Sequence, residues 1–330
     1  MTKIRWAMVG TGLMADLIVR DFALCNNTEL VAIVTRDAER ARPKFAVWGI
    51  DPVPLLESLD EALADPEIDL IYVAAPHSEH FWMTKAALEA GKHVLCEKAF
   101  TMDANEAEEL VRIAQSRGLF LMEAMWTKFN PLMNELKRRI EAGQIGELKL
   151  IETHFGFNRP YDESHRLFDA KLGGGSTLDQ GVYTTSVIDW FAGSTVRAMF
   201  SRGELYPNGT DAQAVTEFHY ENGVIGVGSS ALNATFGTTA RIAGSDAYIE
   251  IDGPFWSPVS ATIYRFGAND ELLSERVEVA KDGAGYSHMI RAVSQSILDG
   301  KTECEVRSHE ESIRIMGLLD EIRAQVRANA

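Results

Sequence analysis

The sequence predicts an α/β chain in two parts: an N-terminal doubly wound parallel sheet, then an α+β domain built on an open, largely antiparallel sheet. Over residues 1–123 short apolar runs alternate with amphipathic stretches that carry helix start signals, the rhythm of repeated strand–helix winding. From residue 124 onward longer segments alternate apolar with polar residues. They are joined by turn sequences such as Glu221-Asn222-Gly223 and Gly267-Ala268-Asn269-Asp270, the pattern of antiparallel strands. A length of 330 residues suits two domains, expected at 1–123 and 124–330.

The first strand runs through Trp6-Ala7-Met8-Val9 straight into Gly10, Gly12 and Ala15. Small residues are required there if the turn bends sharply, the backbone approaches a pyrophosphate and the next helix packs closely on the strand, as in a Rossmann dinucleotide-binding turn. Gly10, Thr11, Gly12, Leu13 and Met14 are therefore expected to hold a nucleotide cofactor. A strand at 30–34, a helix at 37–48 and a helix opened by a capping box of Ser58 and Glu61 follow. The continuous apolar run 70–75 reads as a parallel strand covered on both faces. A helix at 84–90, a strand at 93–96, a helix at 103–117 and a strand at 119–123 complete the winding, with right-handed crossovers that leave a crevice at the carboxyl ends of the strands.

In the second part the strands are expected at 148–157, 196–205, 214–220, 224–231, 239–251, 261–266 and 272–279, with a helix at 178–191 on one face. Ser308 and Glu311 open a final helix reaching about residue 328.

Composition narrows the function classes. With 32 basic against 48 acidic residues the formal charge is −16, which repels polyanions and leaves no footprint for nucleic acid or anionic lipid, so the expected partner is a small molecule. Cys25, Cys96 and Cys304 form neither a disulfide framework nor a C-x-x-C metal pair, which suits a reducing cytoplasm. Lys3 and Arg5 before an apolar stretch mimic a secretory leader, but the run is short and broken by glycines, so it is read as the first strand. No stretch has the apolar length of a membrane span. His77 and His80 lack further ligands at metal spacing, and no metal is expected.

The cofactor's identity turns on the end of the second strand, where an acidic residue would accept from the ribose 2′-hydroxyl of NAD. The sequence there is Val34-Thr35-Arg36-Asp37. Arg36 has the fork geometry for a 2′-phosphate, Thr35 adds a donor and Arg40 follows one turn on, so NADP is preferred over NAD. Asp37 reads as a helix cap or, alternatively, as a ribose ligand.

Gly10-Thr11-Gly12-Leu13-Met14-Ala15, Ala75-Pro76-His77-Ser78-Glu79-His80, Cys96-Glu97-Lys98-Ala99, and Gly173-Gly174-Gly175 leading into Asp179-Gln180-Gly181-Val182-Tyr183 resemble, in order and spacing, the successive motifs of the Gfo/Idh/MocA oxidoreductases. Residues 119–129 and His154-Phe155-Gly156 are most similar to the branch of dimeric trans-dihydrodiol dehydrogenases and NADP-dependent D-xylose 1-dehydrogenases. The resemblance implies hydride transfer between nicotinamide and a sugar, cyclic diol or related carbonyl. It adds Ala75, Pro76, His80, Glu97 and Lys98 to the cofactor side, with His80 as structure at the start of a helix. It makes Tyr183 the general acid/base, assisted by Lys98, whose ammonium would favour phenolate and polarise the substrate oxygen. Asp179 lies four residues before Tyr183, on the same face if both are helical, and would orient the substrate hydroxyl or Lys98. Trp126 and Phe155 resemble an aromatic pocket wall, and Arg159 lies in the loop that follows. The family's proline after the lysine is Ala99 here, which leaves the geometry of that peptide open. A non-catalytic dinucleotide-binding regulator and a redox-neutral lyase or hydrolase that uses its cofactor transiently are the alternatives. The apolar alternation over 214–231, with the family's habit of pairing this sheet, implies a homodimer.

Overall fold

A computed structural model describes residues 2–329. In chain order the elements are β1 (Ile4–Val9), α1 (Leu13–Ile18), β2 (Thr28–Val34), α2 (Ala38–Ala41), α3 (Lys44–Trp48), β3 (Leu55–Leu56), α4 (Leu59–Ala64), β4 (Leu70–Val73), α5 (His77–Glu89), β5 (His93–Cys96), α6 (Ala104–Arg117) and β6 (Leu121–Glu123). There follow α7 (Pro131–Glu141), β7 (Leu148–Gly156), α8 (Val182–Ala192), β8 (Val196–Leu205), β9 (Asp211–Tyr220), β10 (Ile225–Ala231), β11 (Ala240–Gly244), β12 (Tyr248–Ile251), β13 (Ser260–Phe266), β14 (Leu272–Glu278), α9 (Ser287–Leu298) and α10 (His309–Ala328). The chain divides into two compact units, Met1–Trp126 with Asp282–Met316, and Thr127–Lys281 with Gly317–Ala330.

The first unit is the doubly wound parallel sheet, in the order β3-β2-β1-β4-β5-β6. The order reverses direction between β1 and β4, and this switch point opens a crevice at the carboxyl ends of the strands. Gly10 follows β1 with φ +107°. A Cβ there would stand 2.7 Å from the Ala74 carbonyl oxygen, so no other residue fits the conformation and the space together.

Residues 282–316 belong to this unit, which a single boundary after residue 123 does not describe. The reason is packing between residues far apart in sequence. The Trp6 indole N–H donates to Ser294 Oγ at 3.0 Å, and the hydroxyls of Thr28 and Ser294 meet at 2.8 Å, fastening α9 to β1 and β2. The Asp21 carboxylate accepts from the backbone N–H groups of Ala284, Tyr286 and Ser287. At the far edge, Arg307 donates through Nε and Nη2 to Glu123 Oε2 and pairs with Glu311, all buried. Such a cluster is costly to desolvate and costlier to leave half-paired, so it fixes the start of α10 against the end of β6.

The second unit carries a mixed, largely antiparallel sheet in the order β14-β13-β12-β11-β7-β10-β9-β8, whose one parallel pair is β7 with β10. One face packs on α8. Gly226 and Gly228 on β10 permit that approach, since a Cβ at Gly228 would already stand 3.2 Å from Ile188 Cδ1 and one at Gly226 would overlap Ile188 outright. Ile151, Phe218, Ile242, Ile249 and Ile263 fill this inner face. The alternate residues Phe200, Val215 and Ile225 stand exposed on the opposite face.

Several boundaries differ from the sequence expectation. The helix expected over 37–48 is two, α2 and α3, because Pro43 has no N–H to carry the helix through. The strand expected over 239–251 is the hairpin β11–β12, with Ser245 and Asp246 at its turn. Two helices are additional. α7 carries a start signal, with Asn130 Oδ1 accepting from Met133 N–H at 3.1 Å ahead of Pro131, whereas α9 has no side-chain cap to announce it. Among the described residues no helix is long and apolar enough to cross a membrane.

Candidate active site

The first unit presents the nucleotide side. At the end of β1, Gly10 turns the chain and Thr11 follows. Gly12 is the N-cap of α1, where an added Cβ would meet nothing within 4 Å, so open space faces this turn. Leu13 is 66% exposed and Met14 half-buried. This combination of tight bend and open cradle fits a dinucleotide pyrophosphate. At the end of β2, Thr35 is buried and its hydroxyl lies 3.4 Å from that of Thr11, while Arg36 and Arg40 are exposed. Asp37 caps α2, its carboxylate accepting from Arg40 N–H at 2.9 Å.

Ala75 and Pro76 lead from β4 into α5. His80, on the first turn of that helix, is fully buried; its two ring nitrogens lie 2.9 Å from the carbonyl oxygens of Ala75 and Ala99. Desolvation holds its pKa below the ordinary value, so the ring is neutral and donates to one carbonyl at a time. His80 therefore ties together the chain segments that leave β4 and β5. The edge of His77 meets its ring at 5.6 Å. No cluster of three or more His, Cys, Asp or Glu able to hold a metal occurs among the described residues.

After β5, Glu97 is buried and accepts from the Tyr72 hydroxyl and, at 3.3 Å, from the backbone N–H of Lys98. Burial pushes its carboxyl up to about 7 against the opposing pull of Tyr72 and the Lys98 charge. Glu97 is thus a support under Lys98. The Lys98–Ala99 peptide is cis, which answers the question that alanine in place of proline left open. Trp126 is buried and stacked on Tyr286, with ring centroids 4.0 Å apart. Burial, with the charges of Glu97 and Asp21, raises the Tyr286 phenol above its ordinary range.

The second unit presents an aromatic face. Tyr183 stands in the first turn of α8, and a π-helical turn over Thr177–Gly181 carries Asp179 into it. π turns re-aim side chains relative to a regular helix. The preceding glycines bring the chain in close. A Cβ at Gly174 would sit 2.8 Å from the Leu167 carbonyl oxygen, and Gly175, at φ +122°, packs against Asp211. Asp211 Oδ2 accepts from Ser176 Oγ at 2.8 Å, Thr177 N–H at 2.6 Å and Thr177 Oγ1 at 2.7 Å, which pins the base of the π turn. Phe155, on the inner face of β7, stacks on Trp256 at 3.9 Å, and both rings lie 5.9 Å from Tyr183. Arg166 pairs with Asp179 at 3.3 Å, and Arg159 is exposed beyond the end of β7. Desolvation, with the charges of Arg159 and Arg166, holds the His165 pKa below its ordinary value.

Tyr183, Asp179 and Phe155 are thus gathered in one unit, whereas Lys98 and the nucleotide turn belong to the other. Trp256, Arg166 and His165 are not among the site residues expected from the sequence. Trp256 follows the cis Gly253–Pro254 bend, and that glycine–proline pair is the one signal in the sequence that a turn there presents an aromatic residue.

Residues 4–125 match the family model described as an oxidoreductase family with an NAD-binding Rossmann fold, and residues 133–250 match the GFO/IDH/MocA C-terminal domain. The chain is 30% identical to D-xylose 1-dehydrogenase (NADP(+)) of Hypocrea jecorina, covering 98% of this chain and 92% of that one. It is 29% identical to trans-1,2-dihydrobenzene-1,2-diol dehydrogenase of Bos taurus, covering 98% and 97%. Among solved structures, the aldose-aldose oxidoreductase of Caulobacter crescentus superposes with a TM-score of 0.87 at 22% identity over 99% of this chain and 98% of that one. The 3-ketoreductase of Actinomadura kijaniata in complex with NADP and TDP-benzene gives 0.87 at 24% over 98% of each, a likeness of fold. The N-terminal match makes this chain one of an oxidoreductase family with an NAD-binding Rossmann fold. The chain belongs to the Gfo/Idh/MocA family.

The Glu97 carboxyl titrates in the folded protein at about 7, above the ordinary 4.5, so the proton binds the folded state more tightly. Its contribution to stability is complete below pH 4.5 and is lost as pH rises through 7. In urea unfolding at a series of pH values, the stability of wild type relative to Glu97→Gln should fall across that window and level off above it. A difference that stays constant with pH would show that Glu97 titrates normally.

Proposed function

We propose that this protein is an NADP-preferring dehydrogenase/reductase acting on a sugar, cyclic diol or related carbonyl, with Tyr183 as its general acid/base. The observation that supports this best is Tyr183 at the head of α8, flanked by the stacked Phe155 and Trp256 rings and approached by Asp179 through a π turn. Stacked aromatic faces accept the apolar face of a sugar ring or an aromatic diol, while carboxylate and phenol address its hydroxyls. When bound, the nicotinamide supplies or accepts the hydride. In oxidation Tyr183 Oη takes the carbinol proton as the carbonyl forms, and in reduction it returns it. Lys98 is assigned the complementary charge, favouring phenolate and polarising the substrate oxygen. Asp179, held by Arg166, orients the substrate hydroxyl, and Arg159, exposed after β7, is assigned to the substrate side.

The test is the absorbance of reduced nicotinamide while aldoses, cyclic diols and diketones are offered with NADP or NAD to wild type and Tyr183→Phe. Turnover is expected in wild type, with kcat lower by about a hundred- to ten-thousand-fold in the variant. Product formed without net absorbance change would replace this reading by a redox-neutral lyase. Cofactor binding with no product from any substrate would replace it by a sensor.

NADP preference is supported by Arg36 and Arg40 standing exposed beside Thr35 and by the NADP(+) dependence in the name of the H. jecorina relative. Replacing both arginines by alanine should weaken NADP about ten- to a hundred-fold and leave NAD within a factor of two, roughly the value of charged hydrogen bonds to a 2′-phosphate. Equal losses for both nucleotides would count against this assignment.

The exposed Phe200, Val215 and Ile225 lie on the side of the second sheet away from α8 and support a homodimer through that face. Sedimentation should give twice the chain mass at micromolar concentration. A monomer mass independent of concentration would exclude the dimer.

A further inference from the structure

Lys44 has no place in the scheme above, yet it reaches from α3 to the nucleotide turn. Its ammonium donates to the Thr11 carbonyl oxygen at 2.7 Å and to both oxygens of Asp16, at 2.9 and 3.0 Å. Asp16 is held in turn by the Trp48 indole N–H at 2.9 Å, and the Lys44 ammonium lies 5.8 Å from the centre of the Trp48 ring. Lys44 is mostly covered, with 21% of its side chain accessible, so it is a fixed contact rather than a waving surface charge. Partial burial would raise the Asp16 carboxyl, but the bonds from Lys44 and Trp48 and the charges of Lys44 and Arg40 hold it below its ordinary range, so it is ionised.

Thr11 is the middle residue of the Gly10-Thr11-Gly12 turn. Its carbonyl shares one peptide plane with the N–H of Gly12, and across a trans peptide these two groups point in opposite directions. Fixing the carbonyl on an ammonium therefore fixes the direction of the Gly12 N–H, on the side of the peptide away from Lys44. Donation by a cation into the carbonyl also polarises the peptide and strengthens that N–H as a donor. The same ammonium neutralises Asp16, whose carboxylate would otherwise repel an anion at this turn.

We propose that Lys44 is a positioning residue for pyrophosphate recognition: it orients and polarises the Thr11–Gly12 peptide and cancels the Asp16 charge without touching the cofactor. This rests on the dinucleotide reading of the turn. It differs from the roles of Arg36 and Arg40, because a pyrophosphate is common to NADP and NAD.

The experiment is a titration of wild type, Lys44→Met and Lys44→Arg with NADP, NAD and adenosine 2′-monophosphate, which lacks the pyrophosphate, read by calorimetry, with ligand-free thermal unfolding in parallel. Lys44→Met is expected to bind NADP and NAD about tenfold more weakly by equal factors, to bind adenosine 2′-monophosphate as wild type does, and to be rescued by Lys44→Arg. Unchanged dinucleotide affinity overturns the proposal. A loss confined to NADP overturns it in favour of a direct 2′-phosphate contact, and an equal loss for adenosine 2′-monophosphate in favour of general loosening of the unit. If wild type binds neither dinucleotide, the nicotinamide reading itself falls, and this inference with it.

Discussion

The nucleotide half of the molecule hangs on one close approach, that of the Gly10 backbone to the Ala74 carbonyl where the parallel sheet changes direction. A side chain at residue 10 would separate β1 from the segment that leaves β4, and the crevice between their ends would lose its floor. His80 extends the same constraint to the next strand, since its ring lies between the carbonyls of Ala75 and Ala99 and so couples the loops after β4 and β5. Glu97 and Tyr72 continue it beneath Lys98. Backbone closeness, a neutral imidazole and a buried carboxyl are three ways of holding loops that carry little regular structure of their own.

The second unit meets the same problem with different means. Gly226 and Gly228 let α8 lie against the sheet, and Asp211 gathers three donors at the base of the π turn. Tyr183 and Phe155 thereby come from a helix and a strand rather than from loops, so the geometry between them is set by packing. In the same unit Arg166 pairs with Asp179, and its charge acts together with that of Arg159 on His165.

Much of this was legible in the residues. The parallel winding followed from short apolar runs and caps, and β5, β8 and α6 lie where periodicity placed them, within a residue. The nucleotide turn was readable because glycine spacing reports backbone demands directly. What stayed hidden depends on distance along the chain. Nothing around Ser294 signals that it bonds Trp6, and nothing near Trp256 signals that it stacks on Phe155. Lys44 was invisible for a related reason: as a lone lysine in a short helix it reads as solvated, and only the fold brings it to Thr11. Pro43 and Asn130-Pro131 did carry local signals, and these bear on helix boundaries rather than on chemistry.

The path of the chain between the units has a consequence for how the protein is made. The first unit is interrupted after Trp126 and resumes only at Asp282, and the chain then leaves it once more after Met316. A ribosome that has finished the six parallel strands has not yet made α9, which seals β1 and β2, nor Arg307, which neutralises Glu123. The nascent first unit therefore waits, with an apolar sheet face uncovered, while the whole middle segment is synthesised. Neither unit can be cut out as one uninterrupted piece, and the pairings of highest sequence separation are the last to become available. The first unit is thus completed by connectivity, through segments made last, rather than by any single strand.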